Sequence, residues 1–183
     1  MKSILKYLRR TKDVFLVFGG EDELSVRGYT DASFQTDKDD SRLQLGFVFC
    51  LNGGGSELEK FQARDSSRFD DRVRVYCTSE AAKVVWIGKF VSVLGVVPSA
   101  SSPVDFYCDN SGAIAQAEEP RSHQNFKHIL WRYHLIHEII DRGYVNICKV
   151  HTDLNIANPL TKPLPQPKHE AHPKAMGIRY LCP

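Results

Sequence analysis

Two aspartates of the sequence lie at the ends of apolar stretches that are typical of β-strands. Asp31 ends the stretch 24–31, and Asp109 follows the stretch 104–108. The carboxyl ends of neighbouring parallel strands meet at one edge of an α/β sheet, where sites commonly form. Two carboxylates at such an edge suit Mg²⁺, which prefers oxygen ligands. An aspartate at a strand end is nevertheless more often a turn or helix-cap residue, so the pattern alone favours that interpretation.

The elements that would position these aspartates follow from the spacing of apolar residues. Short apolar runs predict β-strands, and apolar residues at steps of three and four predict helices. Their succession predicts a mixed α/β domain. The predicted strands are 24–31, 45–51, 104–108 and 145–150, with 14–18 as a further short apolar run. The predicted helices are 1–10, 78–94, 111–117, 127–141 and 156–161, and Pro163 ends the last of them.

Composition bounds the class of protein. The chain has 183 residues, of which 42% are hydrophobic and 25% charged, as expected for a folded globular domain. Its net charge of +2 is too small for a general polyanion binder, so any nucleic-acid contact must be local. No signal peptide or membrane-spanning run is found, and we expect an intracellular protein, cytoplasmic or nuclear, that is not secreted. The widely spaced cysteines are expected to be reduced: Cys50, Cys77, Cys108, Cys148 and Cys182.

Four motifs occur in order along the chain. They are Gly-Tyr-Thr-Asp-Ala at 28–32, Tyr-Cys-Asp-Asn-Ser-Gly-Ala-Ile at 107–114, Lys-His-Ile with Arg-Tyr-His at 127–134, and Leu-Thr-Lys-Pro-Leu at 160–164. Together they resemble the ribonuclease H domain at the end of copia-type retrotransposon Pol polyproteins. The resemblance implies a ribonuclease H-like fold, in which a five-stranded mixed sheet is flanked by helices.

The same resemblance divides the chain into three parts. Residues 1–20 resemble the end of the preceding reverse transcriptase region, and residues 21–164 resemble the ribonuclease H-like domain. Residues 165–183 are expected to be a C-terminal tail because of their prolines. The implied partners are an RNA/DNA hybrid or other nucleic acid, and the ancestral reverse transcriptase and integrase domains of the same polyprotein. No membrane partner is expected.

The family chemistry is Mg²⁺-dependent hydrolysis of the RNA strand of an RNA/DNA hybrid. The resemblance implies four carboxylates that hold two Mg²⁺ ions roughly 3.5 to 4 Å apart. Asp31 and Asp109 match the first and third carboxylates, and are the expected metal ligands. Arg74 stands where the family has a glutamate, and Asn158 where it has an aspartate. An amide is neutral, and a guanidinium about 4 Å from a divalent ion would cost on the order of 8 kcal/mol. We therefore expect a catalytically inactive pseudoenzyme.

Residues 57–77 do not resemble the family, although both flanks do. With one permitted choice of codons, reading this segment one base later encodes a family-like peptide that has a glutamate opposite Arg74. A compensated frameshift explains this observation. Because the segment is rich in charge, we expect it to leave the sheet as an exposed loop and to disrupt the third strand. The charged residues of its centre are Arg64, Asp65, Arg68, Asp70, Asp71 and Arg72.

Other residues have two interpretations each. His151 could shuttle a proton, by analogy with other ribonucleases H. Asn110 and Ser111 could contact the sugar or base edges of a hybrid, although helix capping explains Asn110 equally well. A modest basic run could bind a phosphate backbone, or form a solvated helix face: Arg121, Lys127, His128 and Arg132. The helix 78–94 is expected to place Trp86 and Phe90 in the core.

Three functions remain open from the sequence. The first is a degenerate, inactive nuclease domain, and the second is a non-catalytic nucleic-acid-binding module. The third is an active ribonuclease H that recruits other carboxylates, such as Asp70, Asp71 or Asp153. Mg²⁺-dependent cleavage of a hybrid would indicate the active enzyme, and salt-dependent binding without cleavage would indicate the binding module. Neither cleavage nor binding would indicate the degenerate domain.

Overall fold

The computed structural model describes residues 2–19, 25–35, 42–63, 81–95, 103–118 and 130–181. Within them the chain forms strands β1 to β7, helices α1 to α5 and two short 3₁₀ turns. The strands are Val14–Leu16, Val26–Gln35, Arg42–Leu51, Gly54–Ala63, Val104–Cys108, Val145–Lys149 and Ile178–Tyr180. The helices are Lys2–Arg10, Ala81–Val93, Ser111–Glu118, Leu130–Asp141 and Gln166–Ala175, and the 3₁₀ turns are Thr152–Leu154 and Asn158–Leu160.

Five strands form one mixed sheet in the order β4-β3-β2-β5-β6. Strands β2, β3 and β4 pair antiparallel, whereas β2 with β5 and β5 with β6 pair parallel. The parallel pairs are joined through helices, as such crossovers require. The predicted mixed α/β sheet flanked by helices is therefore confirmed.

The edge strand β4 contradicts one expectation. Residues 57–63 were expected to lie in an exposed loop, but they pair with β3 in a ladder that runs from Leu51 opposite Gly54 to Leu43 opposite Ala63. An edge strand tolerates charged side chains because one of its sides remains open to water. The prediction of a disrupted third strand is thus wrong for residues 57–63, and residues 64–77 lie outside the described residues.

The core lies on both faces of the sheet. On one face, helices α2 and α4 contribute Val85 and Ile139, which pack with strand residues of the same cluster. Alternation along β3 sends Val48 and Cys50 to the opposite face, where they pack against Ile156, Ala157 and Met176. These three residues belong to the C-terminal segment, which comprises residues 150–181 after β6. The C-terminal segment is therefore the cover of the second face.

Trp86 and Phe90 do not lie in the core. Their side chains are 66% and 52% exposed, and their rings stack at 5.5 Å on the outer side of α2. Val85 and Val91 of the same helix are buried instead. Because α2 is apolar on more than one side, its periodicity did not determine which side faces the sheet.

The C-terminal residues are more ordered than their prolines suggested. The expected helix 156–161 is a 3₁₀ turn flanked by irregular backbone, and the expected tail contains helix α5 and strand β7. Strand β7 pairs antiparallel with β1, with Tyr180 opposite Val14. No helix within the described ranges is long and apolar enough to span a membrane.

Cysteines within the described ranges carry free thiols, as expected. They are Cys50, Cys108 and Cys148. Burial raises the pKa of Cys108 to about 11. This thiol is therefore protonated at neutral pH and behaves as a small core residue.

Candidate active site

The two aspartates predicted from the sequence come together at the carboxyl ends of β2 and β5. The parallel register places Thr30 of β2 beside Cys108 of β5, so the next residues, Asp31 and Asp109, are neighbours. Asp31 is buried, with 1% of its surface exposed. Burial and, to a smaller extent, the charge of Asp109 raise the pKa of Asp31 above its ordinary value. The site therefore holds a carboxylate in a place where its negative charge is costly.

Two neighbours in the C-terminal segment contact the Asp31 carboxylate. The Thr161 hydroxyl donates a hydrogen bond to Oδ2, and the Lys162 ammonium donates one to Oδ1 at 3.2 Å. Both contacts lower the pKa of Asp31, but they offset only part of the effect of burial. Hydrogen bonds and opposite charge are what allow a buried carboxyl to persist in a fold.

Asn158 lies in the same segment and is buried, with 2% exposed. Its Nδ2 donates a hydrogen bond to the Thr152 carbonyl oxygen at 3.2 Å. Its Oδ1 is also buried and has no hydrogen-bond donor in the described part of the chain. A buried acceptor without a partner costs about 1 to 3 kcal/mol, so this atom is a natural contact for a donor or a cation.

Asp109 lies beside the 3₁₀ turn that follows β6. The Thr152 hydroxyl donates a hydrogen bond to Oδ2 of Asp109 at 3.0 Å. The neighbouring His151 is exposed, and its Nδ1 accepts a hydrogen bond from the Asp153 backbone N–H at 3.3 Å. His151 thus lies next in sequence to Thr152, which contacts Asp109. The proton-shuttle role of His151 stays a prediction.

Asn110 acts as the N-cap of helix α3. Its Oδ1 accepts hydrogen bonds from the backbone N–H groups of Gly112 at 3.0 Å and Ala113 at 3.2 Å. This geometry is the one expected if Asn110 caps the helix. Ser111 is exposed at the first position of the same helix. Contact of either residue with nucleic acid stays a prediction.

Of the predicted basic residues, the structure describes only the backbone of Arg132. Arg132 belongs to helix α4. The other predicted positions lie outside the described residues: Arg74, Arg121, Lys127 and His128.

Asn155, which anchors the C-terminal segment to the sheet, was not predicted from the sequence. Asn155 is fully buried, its Nδ2 donates to the Thr30 carbonyl oxygen at 2.8 Å, and its Oδ1 accepts from the Ala157 N–H at 3.1 Å. It therefore fixes the segment to β2 one residue before Asp31. No sequence signal marked it, whereas Thr161 and Lys162 belong to a motif that the resemblance used.

The described residues do not fit a pair of Mg²⁺ ions. No cluster of three or more His, Cys, Asp or Glu side chains able to hold a metal occurs among them. Among the described side chains, the Asp31 and Asp109 carboxylates and the Lys162 ammonium have a formal net charge of minus one. Two divalent ions would bring four positive charges, and hard cations need several anionic oxygen ligands.

The mixed five-stranded sheet has an aspartate pair at the carboxyl ends of two parallel strands, the arrangement that the motif resemblance predicts. Along its whole length the chain is homologous to retrovirus-related Pol polyproteins of copia-type transposons, so the resemblance found in the motifs is confirmed. Its homologues are such polyproteins, and the similarity covers the whole of this chain.

The relatives and one solved structure are as follows. The Pol polyprotein from transposon TNT 1-94 of Nicotiana tabacum is 32% identical over 182 residues, which cover 97% of this chain and 13% of that polyprotein. The Pol polyprotein from transposon RE2 of Arabidopsis thaliana is 29% identical, over 100% of this chain and 12% of the polyprotein. The chain thus spans about an eighth of the length of these relatives.

No family model matches the chain. The N-terminal RNase H domain of rv2228c from Mycobacterium tuberculosis is similar with a TM-score of 0.48 and 14% identity, covering 84% of this chain and 99% of that one.

Proposed function

We propose that this ribonuclease H-like domain has lost the hydrolysis of RNA in RNA/DNA hybrids. The observation that supports the proposal best is the burial of the Asn158 amide. The resemblance implies a carboxylate at this position of the sequence. Its Oδ1 can still contact a cation, but it contributes no negative charge. Two-metal hydrolysis clamps both the attacking and the leaving oxygen, so weak binding of either ion removes the reaction.

Arg74 is the second substitution on which the proposal relies. Its argument comes from the sequence alone, because residues 64–80 lie outside the described residues. We propose that a compensated frameshift produced residues 57–77 and replaced the expected glutamate. The coding DNA tests this origin: codons that give no family-like peptide when read one base later would disprove it.

Cleavage of a labelled RNA/DNA hybrid, with Mg²⁺ and then with Mn²⁺, tests the loss of activity. The protein is expected to give no product above that of its Asp31→Asn variant, which lacks a carboxylate in any mechanism. Cleavage by the unchanged protein that Asp31→Asn abolishes would overturn the proposal. A hybrid that is bound in a salt-dependent manner but not cut would show the nucleic-acid-binding function that the sequence left open.

The Asn158→Asp variant isolates the contribution of the amide. If Asn158 alone prevented the reaction, Asp at this position would restore cleavage. We expect little recovery, because Arg74 remains. The proposed molecular partners are those of the family, namely a hybrid or other nucleic acid and the other domains of a Pol polyprotein.

A further inference from the structure

We propose that the outer side of helix α2 is a surface through which two copies of this chain associate. This surface, which we call the α2 stripe, consists of Trp86, Phe90, Val93 and Leu94, which recur at steps of three and four residues on one side of the helix. The proposal does not depend on the loss of hydrolysis, because these residues are not among the groups of the candidate active site.

The opposite side of α2 fixes the helix to the sheet. Val85 is buried, and Gly88 lies so close to β5 that an added Cβ would be 2.9 Å from Cγ2 of Val104. The last turn continues to Leu94, whose N–H donates to the Phe90 carbonyl oxygen at 3.2 Å. The α2 stripe is therefore presented to solvent by a helix that cannot rotate to bury it.

The α2 stripe exposes several apolar side chains side by side. Val93 and Leu94 are 84% and 56% exposed, and the largely exposed rings of Trp86 and Phe90 stack with an angle of 10° between their planes. Single exposed apolar side chains are common, but a patch of them that includes a tryptophan is typical of a protein interface. A helix that is apolar on both sides is normally covered on both.

The charges of α2 favour a partner surface that is itself uncharged. The helix contains no acidic residue, and its two cations are Lys83 and Lys89. The Lys89 ammonium lies 4.0 Å from the centroid of the Tyr144 ring, so its charge is directed to that ring. A nucleic acid strand stacked on the aromatic rings would need a basic groove along its phosphates, which two lysines do not form.

A second copy of the chain complements the α2 stripe in size. The first half of the stripe carries two rings, and the second half carries two aliphatic side chains. We infer that two α2 helices pack antiparallel around a two-fold axis near Phe90. Trp86 of each copy then lies opposite Val93 and Leu94 of the other, so large side chains meet small ones. Lys83 of each copy lies opposite the end of the other helix, so the lysines of the two copies do not meet.

Sedimentation equilibrium of the unchanged chain tests for this association. One pair of helices forms a small interface, so we expect a weak dimer with a Kd on the order of 10 to 100 μM. The average mass should rise with concentration from 20.7 kDa toward twice that value and no further, because a two-fold contact closes on itself. Added salt should not weaken the dimer, since no ion pair holds it. A monomer at concentrations well above this range, or a mass that keeps rising, would overturn the proposal.

The Trp86→Ser variant removes the larger ring from a side chain that is mostly exposed. The Kd of the dimer is expected to rise about 30-fold or more, because a tryptophan buried in an interface is a typical hot spot. Should this variant not fold, as judged by circular dichroism, Phe90→Ser provides the same test. Leu154→Ser is the matched control, since Leu154 is a similarly exposed apolar residue outside the α2 stripe. It should leave the Kd unchanged, and an equal weakening in both variants would contradict the proposed surface.

Two charged variants test the antiparallel arrangement. Trp86→Lys and Leu94→Glu each place charges in the apolar contacts of the dimer, and each variant alone should be monomeric. In an equimolar mixture the introduced lysine lies opposite the introduced glutamate, and the other contact remains tryptophan against leucine. The mixture should therefore form a dimer again, and a mixture that stays monomeric would overturn the proposed pairing. Binding of a single-stranded oligonucleotide that Trp86→Ser abolishes, without any dimer, would also overturn the proposal.

Discussion

Two lysine–aspartate ion pairs, Lys162 with Asp31 and Lys168 with Asp153, differ in their surroundings. In the inner pair, the Asp31 side chain is 0% exposed, while in the outer pair Asp153 and Lys168 are 52% and 53% exposed. Burial outweighs Lys162 and raises the pKa of Asp31, whereas the hydrogen bond and charge of Lys168 lower the pKa of Asp153. The lysine lowers the pKa of its aspartate in both pairs, but the net shift is upward for the buried Asp31 and downward for the exposed Asp153.

The difference separates a site from a surface contact. Keeping Asp31 buried costs free energy that an apolar residue would not cost. The chain offsets this cost with Thr161 and Lys162. The exposed pair needs no such support and contributes little, because water screens it. A costly buried charge with dedicated partners is typical of functional sites.

Breaking the scaffold of the inner pair is expected to have the largest effect on stability. In Gly46→Ala, the new Cβ would lie 2.7 Å from Cβ of Leu160 and 3.1 Å from the Ala157 carbonyl oxygen. Overpacking of this kind costs up to about 3 kcal/mol, which urea denaturation would measure as a lower free energy of unfolding. Gly55→Ala is the control, since its Cβ would meet Cβ of Met176 at an ordinary 3.5 Å. Equal losses in both variants would contradict the tight contact.

Removing one donor of the inner pair is expected to have the next largest effect. Thr161→Val keeps the shape of the side chain but removes the hydroxyl that donates to Asp31. The buried carboxylate loses a hydrogen bond, which costs about 1 to 2 kcal/mol in the free energy of unfolding. Thr152→Val removes a similar bond to the half-buried Asp109 and is expected to cost less. A larger loss for Thr152→Val than for Thr161→Val would show that the hydrogen bond to the buried Asp31 contributes less than the one to Asp109.

Lowering the pH is expected to destabilise the region around the outer pair through His172, which is 4% exposed. Burial is the main cause that lowers its pKa below 6.5, with His169 and Lys168 adding to it and Asp153 opposing it. The unfolded chain therefore binds a proton more readily than the folded one, and stability present above pH 6.5 is lost as the pH falls. The free energy of unfolding should decrease between about pH 7.5 and 5.5, where histidine titrates. In His172→Gln this decrease should be smaller, and an identical slope would refute the role of His172.

The smallest effect is expected at the outer pair itself. Lys168→Met removes an ion pair whose two side chains are about half exposed. Such exposed pairs contribute little because water screens them, so the free energy of unfolding should change little and should depend little on added salt. A loss as large as that of Thr161→Val would show that exposure does not distinguish the two pairs.

The sequence predicted the elements whose periodicity is local. The apolar stretches of β5 and β6 and the helical spacing of α2 and α4 depend on neighbours along the chain, and the meeting of Asp31 with Asp109 followed from the parallel pairing of their strands. The charges of β4 suggested a loop because the sequence did not show that this strand lies at an edge.

The contacts that hold the C-terminal segment against β2 were not predictable. The position of the C-terminal segment depends on Asn155, whose amide bonds to Thr30 at a separation of 125 residues. The engagement of Asp31 by Lys162 likewise spans 131 residues. Neither contact leaves a periodic pattern, so the two retained aspartates were identified but the groups that control them were not.

The pairing of β1 with β7 has a topological consequence. Val14 lies opposite Tyr180, and the Leu181 N–H donates to the Asp13 carbonyl oxygen at 2.9 Å. The chain therefore enters and leaves this domain at nearly the same point. In a longer polypeptide, segments attached on either side would emerge next to each other, and this fold would project as a side branch instead of acting as a spacer between them.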